Sequence, residues 1–148
     1  MTTPAHGPVT AFDDTVDVEY SRFCLQDMVR MDGALSLRPP EDDDWLIVGG
    51  PGGVLFRSAG SDHNPPIRLE LWAVRPEPPE TRWRESAEAV FTSAGTELRL
   101  WSVTAALGER TLVLPGPGDY HVEAFVRGEA DPDEEPEDEE WLVRIWPA

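Results

Sequence analysis

Few residues of this chain are of the types that carry out nucleophilic or metal chemistry. It has one cysteine, Cys24, and three scattered histidines, His6, His63 and His121, which do not give the spacing of a zinc site. A Cys–His nucleophile pair would require the fold to bring Cys24 to His121. Cys24 stands between two large apolar residues, where a free cysteine is usually a small buried side chain. We therefore predict neither a catalytic cysteine nor a metal site.

Carboxylates are the abundant chemical groups, and much of their excess is local. The chain has 29 acidic and 12 basic residues, a net charge of −17, and residues 129–140 alone supply nine carboxylates. This stretch lacks the alternating ligand spacing and the glycine of a calcium-binding EF-hand loop. Carboxylate pairs suited to glycoside hydrolysis occur by chance in a chain this acidic. The sequence therefore predicts a noncatalytic protein without a cofactor.

The charge also predicts the chemistry of the partner. An acidic chain is repelled by nucleic acid and by anionic lipid, so no direct binding to either is expected. A basic protein is its electrostatic complement. No apolar run approaches the roughly 18–20 residues of a membrane span, and the N-terminal residues lack the basic and apolar regions of a signal peptide. We expect a soluble, cytoplasmic protein.

The hydrophobic residues of the chain recur with a period of two rather than 3.6. The carboxylates, the cysteine and the histidines must therefore be positioned by strands and the loops between them. Apolar residues alternate over residues 16–25, with a change of phase between Tyr20 and Phe23 that predicts a β-bulge or kink. The clearest alternation is found in residues 120–126 and 141–146. Prolines and glycines separate such segments throughout the chain, which is typical of strands joined by turns.

The strand pattern predicts an all-β fold, namely an antiparallel, Greek-key-like β-sandwich of about seven to eight strands. We predict a flexible N-terminal segment at residues 1–14 and a single domain at residues 15–148, with an acidic loop at 129–140. Residues 85–93 are ambiguous between helix and strand. Their short length and the following Ser-Ala-Gly favour a strand.

Tyr120 follows a Pro-Gly turn and stands two residues before the apolar Val122. This placement resembles the tyrosine corner of Greek-key sandwiches, in which the hydroxyl group bonds to upstream backbone. We therefore predict a structural role for Tyr120.

The acidic stretch connects two segments that are predicted to pair, residues 120–128 and 141–147. Pro132 and Pro136 prevent the stretch from forming a helix or continuing the sheet, and its like charges extend it. One interpretation is a solvated connection that protects a sheet edge from aggregation. The other is a recognition loop for a basic partner.

Two of the six tryptophans suggest an alternative contact surface. Trp72 and Trp101 fall out of phase with the neighbouring leucines, on the opposite face of their strands. If that face is exposed, both could anchor a partner, since tryptophan is enriched at interface hot spots. The alternative function is thus a structural or regulatory module of a larger assembly, which binds through an exposed, tryptophan-bearing sheet face.

Several segments together suggest a family. They are VDVEYSRFCLQD and DGALSL near the N-terminus, then LVLPGPGDYHVEAF, an acidic interval and a final hydrophobic strand. In this order they resemble the two halves of the competence protein J family, the DNA-entry nuclease inhibitors. The resemblance implies a small acidic β-sandwich that binds and inhibits a nuclease. It implies no catalytic residues.

The leading hypothesis is a noncatalytic protein-binding module, an inhibitor or immunity protein for a nuclease or another basic, toxin-like protein. The predicted recognition surface lies within residues 133–140, with a secondary acidic patch before Trp45. The carboxylates of the two surfaces are Asp133, Glu134, Glu135, Glu137, Asp138, Glu139 and Glu140, and Asp42, Asp43 and Asp44.

Overall fold

The computed structural model describes residues 7–30, 33–41, 44–60, 62–102, 108, 110–128 and 139–148. Within these ranges the regular structure is twelve strands and one turn of 3-10 helix at Ala34–Ser36. The strands are β1 Thr10–Thr15, β2 Val18–Glu19, β3 Arg22–Asp27, β4 Ile47–Gly50, β5 Gly53–Arg57, β6 Asp62–His63, β7 Pro66–Leu71, β8 Glu85–Ser93, β9 Glu97–Trp101, β10 Leu112–Val113, β11 Gly118–Arg127 and β12 Glu140–Pro147.

The strands form two sheets that pack face to face. The five-stranded sheet has the order β1-β7-β12-β11-β8, and all neighbours are antiparallel except β7 and β12, which are parallel. The seven-stranded sheet has the order β10-β9-β3-β2-β6, with β5 paired to β3 and β4 paired to β5. The predicted all-β sandwich is confirmed. The larger number of strands reflects β1, which lies in the segment predicted to be flexible, and three pairs of residues, β2, β6 and β10, which are too short to show alternation.

An aromatic cluster joins the two sheets at the centre of the core. Phe23 and Phe56 of the seven-stranded sheet stack with ring centroids 4.6 Å apart. Trp141 of the five-stranded sheet meets both rings edge-on, at 5.1 and 5.8 Å. All three side chains are essentially inaccessible to solvent. Such edge-to-face pairs add to the free energy of burial, so Trp141 fixes how β12 sits over the opposite sheet.

The change of phase near Tyr20 is a turn and not the predicted bulge or kink. Tyr20 and Ser21 have φ angles of 55° and 62°, and they form a two-residue hairpin turn in which Glu19 pairs with Arg22. Both residues lie in the left-handed region that such turns require. Tyr20 therefore does not share the buried face of Val18 and is 74% exposed.

Two further expectations about the strands have clear outcomes. Residues 85–93 form a strand, β8, as their short length favours. The predicted flexible segment through residue 14 is wrong for residues 10–14, because β1 pairs with β7 along its whole length. The ladder supplies backbone hydrogen bonds to a segment in which half of the residues are exposed and half are partly buried, with Phe12 packed against the core. Residues 1–6 lie outside the described part of the chain.

The predicted tyrosine corner is present. The Tyr120 hydroxyl donates a hydrogen bond of 2.5 Å to the backbone carbonyl of Gly116, four residues upstream. The ring is buried and lies beside Phe91, with ring centroids 5.8 Å apart. Tyr120 therefore has the structural role that its position predicts.

The connection between β7 and β8 covers the outer face of the five-stranded sheet. Residues 72–84 must pass over β12 and β11, which lie between the two strands they join. The Arg75 guanidinium carbon lies 4.8 Å from the centre of the Trp146 ring. Trp83 packs on Phe125 with ring centroids 5.9 Å apart. The aromatic side chains on this face therefore contact the chain itself.

Two glutamates oppose each other on that same face. Glu123 of β11 is the cross-strand partner of Glu88 of β8. Burial raises the pKa of Glu123 above its ordinary value of 4.5, and the Glu88 charge raises it further, although Arg75 and Arg144 act in the opposite direction. The ionised form of Glu123 is thus disfavoured by folding.

Replacing Glu123 by glutamine is expected to stabilise the protein at neutral pH by up to about 1 kcal/mol, the size of a cross-strand pair. In the wild type, the favourable contribution of a raised pKa is complete below 4.5 and is lost as the pH rises through the folded value. Urea unfolding of both proteins from about pH 4 to pH 7 should show a gap that grows with pH. A variant less stable than wild type at pH 7 would contradict this.

No helix among the described residues is long and apolar enough to cross a membrane.

Candidate partner-binding surface

The acidic stretch is the connection of the β11–β12 hairpin, as predicted. β11 ends at Arg127, β12 begins at Glu140, and these two residues are the last paired positions of the ladder. The hairpin places both ends of the stretch at one end of the sandwich. Five of the predicted recognition residues lie outside the described part of the chain, as do two residues of the secondary patch. They are Asp133, Glu134, Glu135, Glu137 and Asp138, and Asp42 and Asp43.

Glu139 does not lie on an exposed surface, so its place in the predicted recognition surface is wrong. Its side chain points to the same side of the chain as Trp141, two residues later, and only 2% of it is exposed. The Trp141 indole nitrogen donates a 2.8 Å hydrogen bond to Glu139 Oε1. The two-residue period of β12 thus continues one step into the acidic stretch and turns this carboxylate inward.

The connection between β5 and β6 supplies further hydrogen bonds to the Glu139 carboxylate. Ser58 Oγ donates to Glu139 Oε1 at 2.5 Å, and the Ala59 amide donates to Oε2 at 3.1 Å. His63 Nε2 lies 2.7 Å from Ser58 Oγ and 3.5 Å from Glu139 Oε1. We call Ser58, Ala59, His63 and Glu139 the anchor. It ties the C-terminal end of the acidic stretch to the opposite sheet.

The anchor contains the residue types of a serine hydrolase but not their arrangement. In a hydrolase the histidine takes the serine proton, and the acid orients the histidine from its other side. Here the Ser58 proton is donated directly to Glu139, so His63 Nε2 is placed to donate to Ser58 Oγ. Ser58 is also buried, with only 3% of its surface exposed, so a substrate could not reach its hydroxyl. The geometry supports a structural link and not a nucleophile.

The Cys–His pair considered from the sequence is not formed. Cys24 is buried on the seven-stranded sheet beside Trp45 and Leu55, and burial raises the pKa of its thiol to about 12. His121 lies on the five-stranded sheet, where it stacks on Trp146 at 5.5 Å. Cys24 is a buried apolar side chain, because a thiolate would be strongly disfavoured there. Among the described residues, no group of three or more histidine, cysteine or acidic side chains could hold a metal ion.

Glu140 points outward and forms a salt bridge with Arg127. The Arg127 Nε and Nη2 atoms lie 2.9 and 2.8 Å from Glu140 Oε2. Both side chains are about two-fifths exposed, at 39% and 42%. This carboxylate closes the hairpin at its outer face, and its charge is partly neutralised within the chain.

Trp72 is half-buried and engaged with neighbouring polar groups. Its indole nitrogen donates a 2.9 Å hydrogen bond to Glu70 Oε1, and the Arg144 guanidinium carbon lies 5.4 Å from its ring centre. Glu70 is itself only 7% exposed and also pairs with Arg68 Nε at 2.8 Å. Trp72 thus contacts a group of charged side chains of its own chain, Arg68, Glu70 and Arg144, on the outer face of the five-stranded sheet.

Trp101 occupies the other sheet. It is half-buried and packs against the cluster that contains Cys24, Trp45 and Leu55 on the seven-stranded sheet. The two tryptophans therefore do not form one exposed face. Asp44, the described residue of the secondary acidic patch, is exposed.

Sequence reasoning missed a cationic and aromatic group near the anchor. Arg22 and Arg57 are direct cross-strand partners, and both guanidinium groups lie over the Trp45 ring. The exposed Tyr20 stands two residues before Arg22. The pairing of residues 22 and 57 depends on the register of two strands that are distant in sequence, so no local pattern indicates it.

No protein-family model matches the chain, and no curated protein sequence matches it. Two solved structures share the fold over nearly the whole chain. ComJ of Bacillus subtilis, an inhibitor of the DNA-degrading activity of NucA, has a TM-score of 0.63 at 13% identity, covering 94% of this chain and 98% of ComJ. The product of crocagin biosynthetic gene J has a TM-score of 0.57 at 14% identity, covering 93% and 97%. The predicted resemblance to the competence protein J family is confirmed at the level of the fold.

Proposed function

We propose that this chain is a noncatalytic inhibitor or immunity protein that binds a basic protein, a nuclease or a nuclease-like toxin, in the cytoplasm. The observation that carries the proposal is the fold shared with a nuclease inhibitor over nearly the full length of both chains. Fold alone does not determine function, so the charge of this chain is the necessary second argument.

The charge distribution suits a partner that normally binds nucleic acid. A nuclease has a basic cleft that neutralises phosphates. Residues 129–140 carry nine carboxylates, and the anchor holds the end of this stretch at a fixed place on the sandwich. An acidic segment fixed in this way can occupy such a cleft in place of nucleic acid. Opposite charges would also accelerate the encounter at low salt.

The direct test isolates the partner and measures its activity. The wild-type chain is immobilised, incubated with lysate of the source organism and eluted with a salt gradient. Proteins that elute specifically are identified by mass spectrometry and assayed for DNA degradation with and without added chain. We expect one basic protein whose nuclease activity falls on addition of the chain. A specific partner without nuclease activity, or a nuclease that the bound chain does not inhibit, would refute the proposed function.

Neutralising the acidic stretch is expected to weaken binding of that partner about tenfold or more at physiological salt and to flatten its salt dependence, because steering by opposite charges is lost. The variant replaces aspartate by asparagine and glutamate by glutamine at 133, 134, 135, 137 and 138. It leaves the buried Glu139 and the paired Glu140 unchanged, so that the hairpin is preserved. Affinity is measured at several salt concentrations.

The matched control removes the same number of charges from other exposed positions. These are Glu77, Glu80, Glu85, Glu97 and Asp119. If the control loses as much affinity as the test variant, net charge and not the acidic stretch governs binding. Equal affinity of the test variant and wild type would identify the stretch as a solvated connection.

A further inference from the structure

Two arginine side chains, Arg22 and Arg57, lie over the same tryptophan ring, that of Trp45, beside the anchor. Their guanidinium carbons lie 5.6 Å (Arg22) and 5.8 Å (Arg57) from the centre of the Trp45 ring. Arg57 Nε donates a 2.7 Å hydrogen bond to the Trp45 backbone carbonyl, which fixes the orientation of its guanidinium group. Trp45 is only 6% exposed, whereas Arg22 is exposed and Arg57 is half-buried. We call Arg22 and Arg57 the arginine pair.

Like charges on directly opposite residues of a sheet repel each other. Arg22 and Arg57 are in this relation. Glu19 also pairs with Arg22 across the β2–β3 hairpin, but its carboxylate accepts a hydrogen bond from Ser102 Oγ. Within the described part of the chain neither arginine forms an ion pair with an acidic side chain. The Trp45 ring attracts both cations, but it does not neutralise them. Two guanidinium groups at one site, one of them oriented by the Trp45 carbonyl, match the oxygen atoms of a carboxylate or phosphate group.

The arginine pair lies at the same end of the sandwich as the acidic stretch. Arg57 is followed by Ser58, whose hydroxyl binds Glu139 and whose amide donates to the Ser21 carbonyl at 2.8 Å. Next to Ser21, the 74% exposed Tyr20 is held with φ at 55°, a conformation that a bulky residue rarely adopts. Tyrosine, arginine and tryptophan are the residues most enriched at binding hot spots.

We infer that Tyr20 and the arginine pair form a second contact surface, which binds an acidic side chain of the partner protein. The inference rests on the proposed function, because the occupant is a carboxylate that the partner presents beside its basic cleft. The acidic stretch and the arginine pair would then engage opposite charges of one partner. Alternating charges of this kind fix orientation and reject partners that are basic throughout.

A carboxylate of a protein suits this site better than the phosphates of a nucleic acid. A nucleic acid would bring a row of negative charges to a chain of net charge −17, at the end of the sandwich where the acidic stretch begins and ends. A single carboxylate on a mixed protein surface brings one charge to the arginine pair. The partner's remaining basic surface stays available to residues 129–140.

The absence of lysine from the chain allows a site-specific test. R22K and R57K each introduce one lysine, whose amine a water-soluble carbodiimide joins to a carboxylate in contact with it. The partner captured on wild-type chain is incubated with each variant, treated with the carbodiimide, and the joined residues are identified by mass spectrometry. R110K is the matched control, because Arg110 is an exposed arginine that lies over another ring, that of Phe12.

We expect R22K or R57K, and not R110K, to be joined to an aspartate or glutamate of the partner. Joining to carboxylates of residues 129–138 of the same chain would overturn the inference, because the arginine pair would then hold the chain's own acidic stretch. A bound partner that forms no such link, or nucleic acid in place of a protein partner, would overturn it equally.

Affinity provides a second readout. R22Q/R57Q is expected to bind the partner at least about 30-fold more weakly than wild type and than R110Q, which loses a charge at a ring contact elsewhere. Circular dichroism verifies that each variant is folded, and the single variant R22Q at an exposed position serves if the double variant is not. A nuclease that binds R22Q/R57Q as tightly as wild type refutes this surface but leaves the proposed function intact. A partner that binds wild type but not R22Q/R57Q, and that degrades no DNA, supports this surface and refutes the proposed function.

Discussion

Replacing Glu139 by alanine is expected to lower the free energy of unfolding by about 3 kcal/mol. The substitution removes the acceptor of three donors, the Ser58 hydroxyl, the Ala59 amide and the Trp141 indole nitrogen. The Ser58 and Trp141 donors are buried, and each costs about 1–3 kcal/mol without a partner, whereas water can reach the exposed Ala59 and its amide. Rearrangement around the site recovers part of the cost. In a domain of this size the change corresponds to a melting temperature lower by roughly 6–12 °C. Thermal and urea unfolding measure both quantities.

Glu140 is the matched control for this experiment because it is adjacent in sequence and carries the same charge. Its partner Arg127 is partly exposed, and exposed salt bridges contribute no more than about 1 kcal/mol. Glu140→Ala should therefore unfold close to the wild type. Equal destabilisation by the two variants would mean that loss of the hairpin's charge, and not loss of the anchor, is responsible.

Replacing Gly53 by alanine is expected to destabilise the protein by about 3–5 kcal/mol, an effect at the upper end for a single methyl group. The added Cβ would lie 2.0 Å from the Leu25 backbone oxygen of β3, and no side-chain rotation can relieve a contact with backbone. Gly53 also has φ at 145°, a conformation that favours glycine. The β4–β5 hairpin would have to withdraw from β3. Denaturant unfolding of the variant tests this.

Gly116 offers the corresponding control. A Cβ at this position would have no atom within 4 Å, although the glycine also belongs to a turn and accepts the Tyr120 hydrogen bond through its carbonyl. Gly116→Ala should change the stability by less than about 1 kcal/mol. If Gly53→Ala were equally harmless, the close approach of β5 to β3 would be wrong.

The sequence predicted the sandwich, the tyrosine corner and the place of the acidic stretch for the same physical reason. Each depends on alternation over long strands, above all β11 and β12, and on the turn chemistry beside them. The burial of Glu139 followed the same alternation, since it stands two residues before Trp141. An acidic residue within an acidic run nevertheless indicates solvent exposure. The Ser58 hydroxyl and Ala59 amide that make burial of Glu139 possible are distant in sequence, so no local pattern reveals them.

Features that depend on register between distant strands could not be predicted. The pairing of Arg22 with Arg57 results from how β3 meets β5, and no local pattern encodes it. Trp72 and Trp101 were correctly placed out of phase with their leucines, but their contacts come from other strands and from packing against a separate cluster. The local pattern thus predicted which face of a strand a side chain lies on. The residues that it contacts from other strands could be identified only in the structure.

The position of β12 has a consequence for how the protein is made. β12 follows every other strand in the sequence, yet it lies in the middle of the five-stranded sheet, between β7 and β11. A sheet formed by the chain up to residue 128 would have open strand edges at β7 and β11, where β12 inserts. Such edges invite pairing with other chains, and charge nearby discourages it. The acidic stretch follows β11 directly in the sequence, so its carboxylates are joined to the strand whose edge stays open until β12 pairs with it.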